Sequence, residues 1–130
     1  MNIQWLKLYV NIIDDEKTYI MHDRSDGDKL YRLWIGMLCL GMKSSRAGVL
    51  LISETMPYKP ETLAARLRLD RGVVEKGIEL FHDLQMIEIC DGAIVLSNFE
   101  KRQNLDAIAR RREVSRLSSQ KFRDRQKKGA

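Results

Sequence analysis

From Leu30 onward, Leu33, Trp34, Met37, Leu38 and Gly41 recur at spacings of three and four, the stripe of a helix with one buried face. Ser25-Asp26-Gly27-Asp28 breaks the chain before it and supplies a cap. Upstream, Asp14-Asp15-Glu16-Lys17 places acidic residues where a helix dipole favours them, predicting a short helix from about Asp14 to Met21. The segment Ile3–Val10 shows no clean period. After a polar turn at Lys43–Gly48, Val49-Leu50-Leu51-Ile52 is short, apolar and β-prone, and predicts a buried strand closed off by Pro57. Pro60-Glu61 opens a helix with Leu63, Ala64 and Leu67 on one face, ending near Arg68. Asp70 then caps a helix from Arg71 to about Leu84, with Val74, Ile78, Phe81 and Leu84 (or Gln85) as its inward stripe. Met86–Cys90 and Ala93–Leu96 read as strands joined by Asp91-Gly92, a strong hairpin signal. Ser97-Asn98-Phe99-Glu100 has capping-box spacing and predicts a further helix start.

The order is helix, strand, helix, short turn, helix, hairpin, which is the order of a winged helix-turn-helix. Only Arg68-Leu69-Asp70 separates the last two helices, as the tight turn of that motif requires. The fold expected is α+β and mostly helical, a winged-helix domain over residues 1–103 followed by a basic, partly helical tail over 104–130. In such a fold the helix from Arg71 enters the major groove and the hairpin lies beside it. Lys59, Arg66, Arg68, Arg71 and Lys76 cluster around the start of the helix-turn-helix and are the candidate contacts to phosphates or guanine edges. The remaining surface of that helix includes Glu75 and Glu79, which argues for contact mainly at its start.

Charge adds the tail to this picture. Residues 1–100 hold 12 Lys/Arg and 15 Asp/Glu, whereas residues 101–130 hold 11 Lys/Arg and 3 Asp/Glu, a net of +8. Arg110, Arg111, Arg112, Arg116, Lys121, Arg123, Arg125, Lys127 and Lys128 put nine positive charges within 19 residues. Such a block is an arm for a polyanion. Six to eight phosphate contacts would give a log–log salt slope of roughly −5 to −7, without sequence preference.

The apolar and polar pattern also limits other classes. No run of about 18 uncharged apolar residues exists, and the first residues lack a signal peptide's pattern, so no membrane span and a cytoplasmic location are expected. Cys39 and Cys90 sit in apolar runs and are expected to be buried free thiols. With His22 and His82 scattered, no zinc-ligand spacing is present, and no metal or other cofactor is expected. There is no nucleophile elbow or phosphate loop, so a binding protein is expected and not an enzyme.

Several stretches in order resemble one family. They are Trp5-Leu6-Lys7-Leu8 with Asp14-Asp15-Glu16-Lys17, then Leu33-Trp34-Ile35-Gly36-Met37-Leu38, then Gly48-Val49-Leu50-Leu51. Pro57-Tyr58-Lys59-Pro60-Glu61-Thr62-Leu63-Ala64, Phe81-His82-Asp83-Leu84-Gln85-Met86-Ile87 and Asn98-Phe99-Glu100-Lys101-Arg102-Gln103-Asn104 continue the set. Together with the basic tail, they resemble the N-terminal domain of phage replisome organisers over nearly the whole chain. The resemblance implies binding to double-stranded DNA at repeats in a phage replication origin, inside the host cell. It also implies recruitment of a helicase loader or helicase through a further C-terminal region. Two departures stand out: Lys59 sits where a better helix cap is usual, at a cost of about 1 kcal/mol, and Glu75 and Glu79 remain on the expected reading helix. The pattern leaves open a transcriptional regulator of the same fold, which would dimerise on a palindrome. It also leaves open a winged-helix module that binds protein, and the oligomeric state.

Overall fold

The computed structural model describes residues 4–103. The chain divides into two units, Met1–Phe99 and Glu100–Ala130. The first contains every element described here except residues 100–103 of the last short helix.

The N-terminal segment runs into a single 3₁₀ turn at Val10–Ile13, then helix α1, Glu16–His22. The sequence predicts a start at Asp14. The observed start lies two residues later because the Asp15 carboxylate accepts the Thr18 backbone N–H at 2.8 Å and so takes the cap position. Thr18 and Tyr31 both donate hydroxyl bonds to the Ile12 carbonyl, at 2.6 and 3.3 Å, tying this segment to the helices behind it. Burial, with Asp15 nearby, pushes the Tyr31 phenol above its ordinary pKa.

Helix α2, Gly27–Lys43, is the centre of the core. Leu30, Leu33, Trp34, Met37 and Leu38 are buried, and Trp34 meets Phe81 edge-to-face with ring centroids 5.2 Å apart. The Trp34 anchor and the spacing that predicts it agree. Gly48, at φ +85°, then turns the chain toward the hairpin.

The region after Gly48 departs from the prediction of a four-residue buried strand. Strand β1 is Leu51–Ser53, paired with β2, Met56–Pro57. Leu50 is fully buried but Ile52 is exposed, because residues 51–53 fold back on 56–57 and leave the core. The preceding residues take the sheet position instead. Val49 forms an antiparallel bridge to Val95, Leu50 N–H donates to the Ile94 carbonyl at 2.9 Å, and Leu96 N–H donates to the Gly48 carbonyl at 2.7 Å.

Helices α3, Pro60–Leu67, and α4, Arg71–Asp83, follow. On α4 the buried residues are Val73, Val74, Gly77, Leu80 and Phe81. Val74 and Phe81 match the expected stripe, whereas Ile78 and Leu84 are only half-buried. The face is rotated because Gly77 lets α2 approach closely: a Cβ there would lie 2.3 Å from Leu33 Cδ2.

Strands β3, Ile87–Cys90, and β4, Ala93–Leu96, pair antiparallel with Cys90 opposite Ala93 and Ile87 opposite Leu96. Asp91 and Gly92 have φ of 51° and 80°, the two positive values of a type I′ turn. The expectation of two buried thiols fails. Cys39 is half-buried and Cys90 is exposed, because β3 beyond Ile87 leaves the core and its next three residues face solvent. Helix α5, Phe99–Gln103, begins inside the Ser97–Glu100 stretch but one residue later than a Ser97 cap would place it, because Asn98 is left-handed at φ 55°. No helix among the described residues is long and apolar enough to cross a membrane.

Candidate nucleic-acid interface

The turn between α3 and α4 begins with a poorly capped helix. Lys59 has no side-chain cap bond, but its backbone N–H donates to Thr62 Oγ1 at 2.8 Å. Thr62 therefore supplies half of the missing cap from inside the first turn, which reduces the cost expected at Lys59. Pro60 occupies the first helical position, where its lost N–H is harmless.

The end of α3 is fixed from two sides. Arg68 adopts a left-handed conformation, φ 56° and ψ 46°, and Leu69 N–H closes the helix by donating to the Ala64 carbonyl at 3.0 Å. Arg32, on α2, donates from Nη2 to the Leu67 carbonyl at 3.1 Å. One helical turn further along α2, Gly36 accommodates the Leu67 side chain: a Cβ on Gly36 would sit 2.7 Å from Leu67 Cδ2. Arg32 bonds the backbone of Leu67 and Gly36 admits its side chain, so the residue before Arg68 is tied to α2 at both. Sequence reasoning misses Arg32. Its partner lies 35 residues away, and only the spacing of four to Gly36 marks a shared face.

The start of α4 is capped as predicted, with the Asp70 carboxylate accepting the Gly72 N–H at 3.2 Å. Arg71, the first residue of α4, is held by two carboxylates. Its Nε donates to Glu75 Oε1 at 2.8 Å, and its Nη2 lies 3.2 Å from Glu61 Oε1 on α3. Glu75 is therefore an arginine partner and not an isolated charge. Arg66 and Arg68 are exposed and have no carboxylate partner among the described residues.

Of the five helix-turn-helix candidates, the fold gathers Arg66, Arg68 and Arg71 around one turn. Lys59 stands at the other end of α3, about 12 Å away along an eight-residue helix. Lys76 lies on the flank of α4 that faces the α1–α2 connection. There it lines an open groove of about 310 Å³ with Arg24, Asp26, Glu79 and Asp83. The tail candidates, Arg110 through Lys128, lie outside the described residues. Among the described residues, no group of three or more His, Cys, Asp or Glu could hold a metal ion.

A core helix, two helices joined by a tight turn and an antiparallel hairpin bridged to a third segment make this an α+β protein, compatible with a winged-helix-like fold. The chain belongs to the N-terminal phage replisome organiser family, whose model matches residues 5–124. That membership gives it a role in phage replication. Comparison with curated proteins and with solved structures finds no match to either.

Proposed function

We propose that this domain binds duplex DNA with site preference, at repeats of a phage replication origin, and so starts replisome assembly. The reading makes α2, α3, α4 and the β3–β4 hairpin a winged helix-turn-helix. Its α3–α4 turn and the start of α4 face the DNA, and the tail adds affinity through phosphates. The role is binding and not catalysis. A helicase loader or helicase is the protein partner that this reading expects.

One observation carries the reading. Arg66, Arg68 and Arg71 are gathered at the turn, with Arg68 kept at φ 56° where glycine would fit with less strain. A charged side chain held in a sparsely allowed conformation is a reason to look for a function there. A protein-binding role is the second reading. It is favoured by the exposed carboxylates Glu79 and Asp83 on α4 and by Glu88 and Asp91 on the hairpin.

The test uses fluorescent duplexes, an origin-type repeat against a scrambled one, across a salt series. The wild-type chain is compared with a chain whose nine tail arginines and lysines, Arg110 through Lys128, are replaced by glutamine. The neutral-tail chain is expected to keep its preference for the repeat. Its salt slope should become shallower by about 0.9 for each phosphate that the tail no longer neutralises. If the wild-type chain binds both duplexes alike and the neutral-tail chain binds neither, the protein-binding reading takes over.

A further inference from the structure

We infer that Arg71 reads a guanine in the major groove, and that Glu61 and Glu75 hold it ready to do so; this rests on the DNA-binding reading above. Arginine has five N–H donors in a planar fork. Glu75 takes the Nε hydrogen at 2.8 Å, and Glu61 lies 3.2 Å from Nη2, so Nε and Nη2 face carboxylates and Nη1 does not. Nη1 has no partner among the described residues, and with one of the two Nη2 hydrogens it forms the outer edge of the fork. That edge presents two parallel donors, and guanine presents two neutral acceptors, O6 and N7, in the major groove.

The local charge separates a base from a phosphate as the ligand. One guanidinium with two carboxylates carries a net −1, so an incoming phosphate meets repulsion. A guanine edge is uncharged and needs aligned donors more than positive charge. Arg66 and Arg68 have no such partners and suit phosphates. Position agrees, because residues at the start of a recognition helix are the ones that reach base edges. Holding is useful too. Arg71 is 60% exposed, so without a brace it would lose rotamer freedom on binding. Two contacts from two helices remove part of that freedom beforehand. Arg71 is thus the sequence-reading residue, and Glu61 and Glu75 are positioning residues.

The experiment selects bound duplexes from a pool randomised over about 20 base pairs, with the wild-type chain and with Arg71→Ala, Arg71→Lys and Glu61→Gln/Glu75→Gln. The wild-type pool is expected to fix a guanine at one position. Replacing that base with adenine or 7-deazaguanine should lower wild-type affinity roughly ten- to hundredfold. Arg71→Ala and Arg71→Lys should show no preference there, since lysine keeps the charge and loses the fork. The salt slope of Arg71→Ala should equal that of the wild type. The double glutamine variant should raise affinity for scrambled duplex and weaken the guanine preference, while Glu79→Gln, an exposed carboxylate on the flank of α4 away from Arg71, leaves that preference intact. If Arg71→Ala still selects the guanine, or loses affinity for all duplexes alike with a slope shallower by about 0.9, the inference is wrong and the DNA-binding reading survives. If the wild-type pool selects no sequence, both fall together.

Discussion

The α3–α4 turn and the β3–β4 hairpin reverse the chain with the same backbone device and opposite chemistry. Each uses a charged residue in the left-handed region, Arg68 at φ 56° and Asp91 at φ 51°. Around the first stand Arg66, Arg68 and Arg71, whereas Ile87–Leu96 carries Glu88 and Asp91 and no lysine or arginine. The turn is anchored to α2 through Arg32 and Gly36, while Glu88, Ile89 and Cys90 on the hairpin are exposed. A fold that offers two protrusions beside one helix therefore need not use both for DNA. Here the hairpin's carboxylates would repel a phosphate backbone, and Arg66 and Arg68 at the turn, which have no carboxylate partner among the described residues, would attract it. The hairpin instead completes the core: Ile87, Ile94 and Leu96 are buried beneath it.

The largest expected contrast between the two regions is in packing, and a pair of glycines exposes it. At Gly77, a methyl group would meet Leu33, which is fully buried, at 2.3 Å. Gly77→Ala should destabilise the domain by about 1–3 kcal/mol, the usual cost of overpacking a core. Duplex binding should weaken with it, because α4 must move away from α2. At Gly92 nothing lies within 4 Å, so only its φ of +80° opposes a side chain. Gly92→Ala should cost about 1 kcal/mol and leave binding unchanged. Urea midpoints and duplex titrations on the same samples decide this. Equal losses of binding in the two variants would mean that the hairpin shares the interface.

Charge gives the next contrast. Arg68→Ala should weaken binding to every duplex roughly tenfold, the worth of about 1.5 kcal/mol for one charge-assisted hydrogen bond. Its salt slope should become shallower by about 1. Glu88→Lys adds a positive charge to the hairpin and should change affinity less than about twofold if the hairpin stands clear of the DNA. A large gain from Glu88→Lys would place the hairpin against phosphates and end the contrast.

Local signals make much of this molecule legible. The spacing of Leu33, Trp34, Met37 and Leu38 marks α2, Pro60 and Asp70 mark the starts of α3 and α4, and Asp91-Gly92 marks the hairpin. These work because periodicity, capping and turn geometry act over a few residues. What depends on contacts between distant elements is not legible. The rotation of α4 comes from Gly77 meeting Leu33, and the exposure of Ile52 comes from a short fold-back at Ser53–Met56. The candidate site divides the same way. The basic residues around the turn can be read directly, whereas the hold of Arg32 on Leu67 and of Glu61 on Arg71 needs the helices packed. The Arg71–Glu75 pair, at a spacing of four, is visible in principle. It is obscured when Glu75 is read only as a charge facing phosphate.

The smallest effect is the most discriminating, because its two readouts should move in opposite directions. A non-glycine residue in the left-handed region costs roughly 1–2 kcal/mol. Glycine removes that cost but loses about 0.5–1 kcal/mol more conformational freedom on folding. Arg68→Gly should therefore stabilise the domain by up to about 1 kcal/mol, seen as a higher urea midpoint at unchanged slope. The same variant should lose duplex affinity as Arg68→Ala does, since both remove the guanidinium. A protein selected for stability alone at this turn would carry the glycine. If Arg68→Gly gains stability and keeps full affinity, the strained arginine is not a DNA contact, and the α3–α4 turn has no better claim to the interface than the hairpin. If it loses stability, the left-handed turn is held by contacts of the Arg68 side chain itself, and the strain argument for a function there fails.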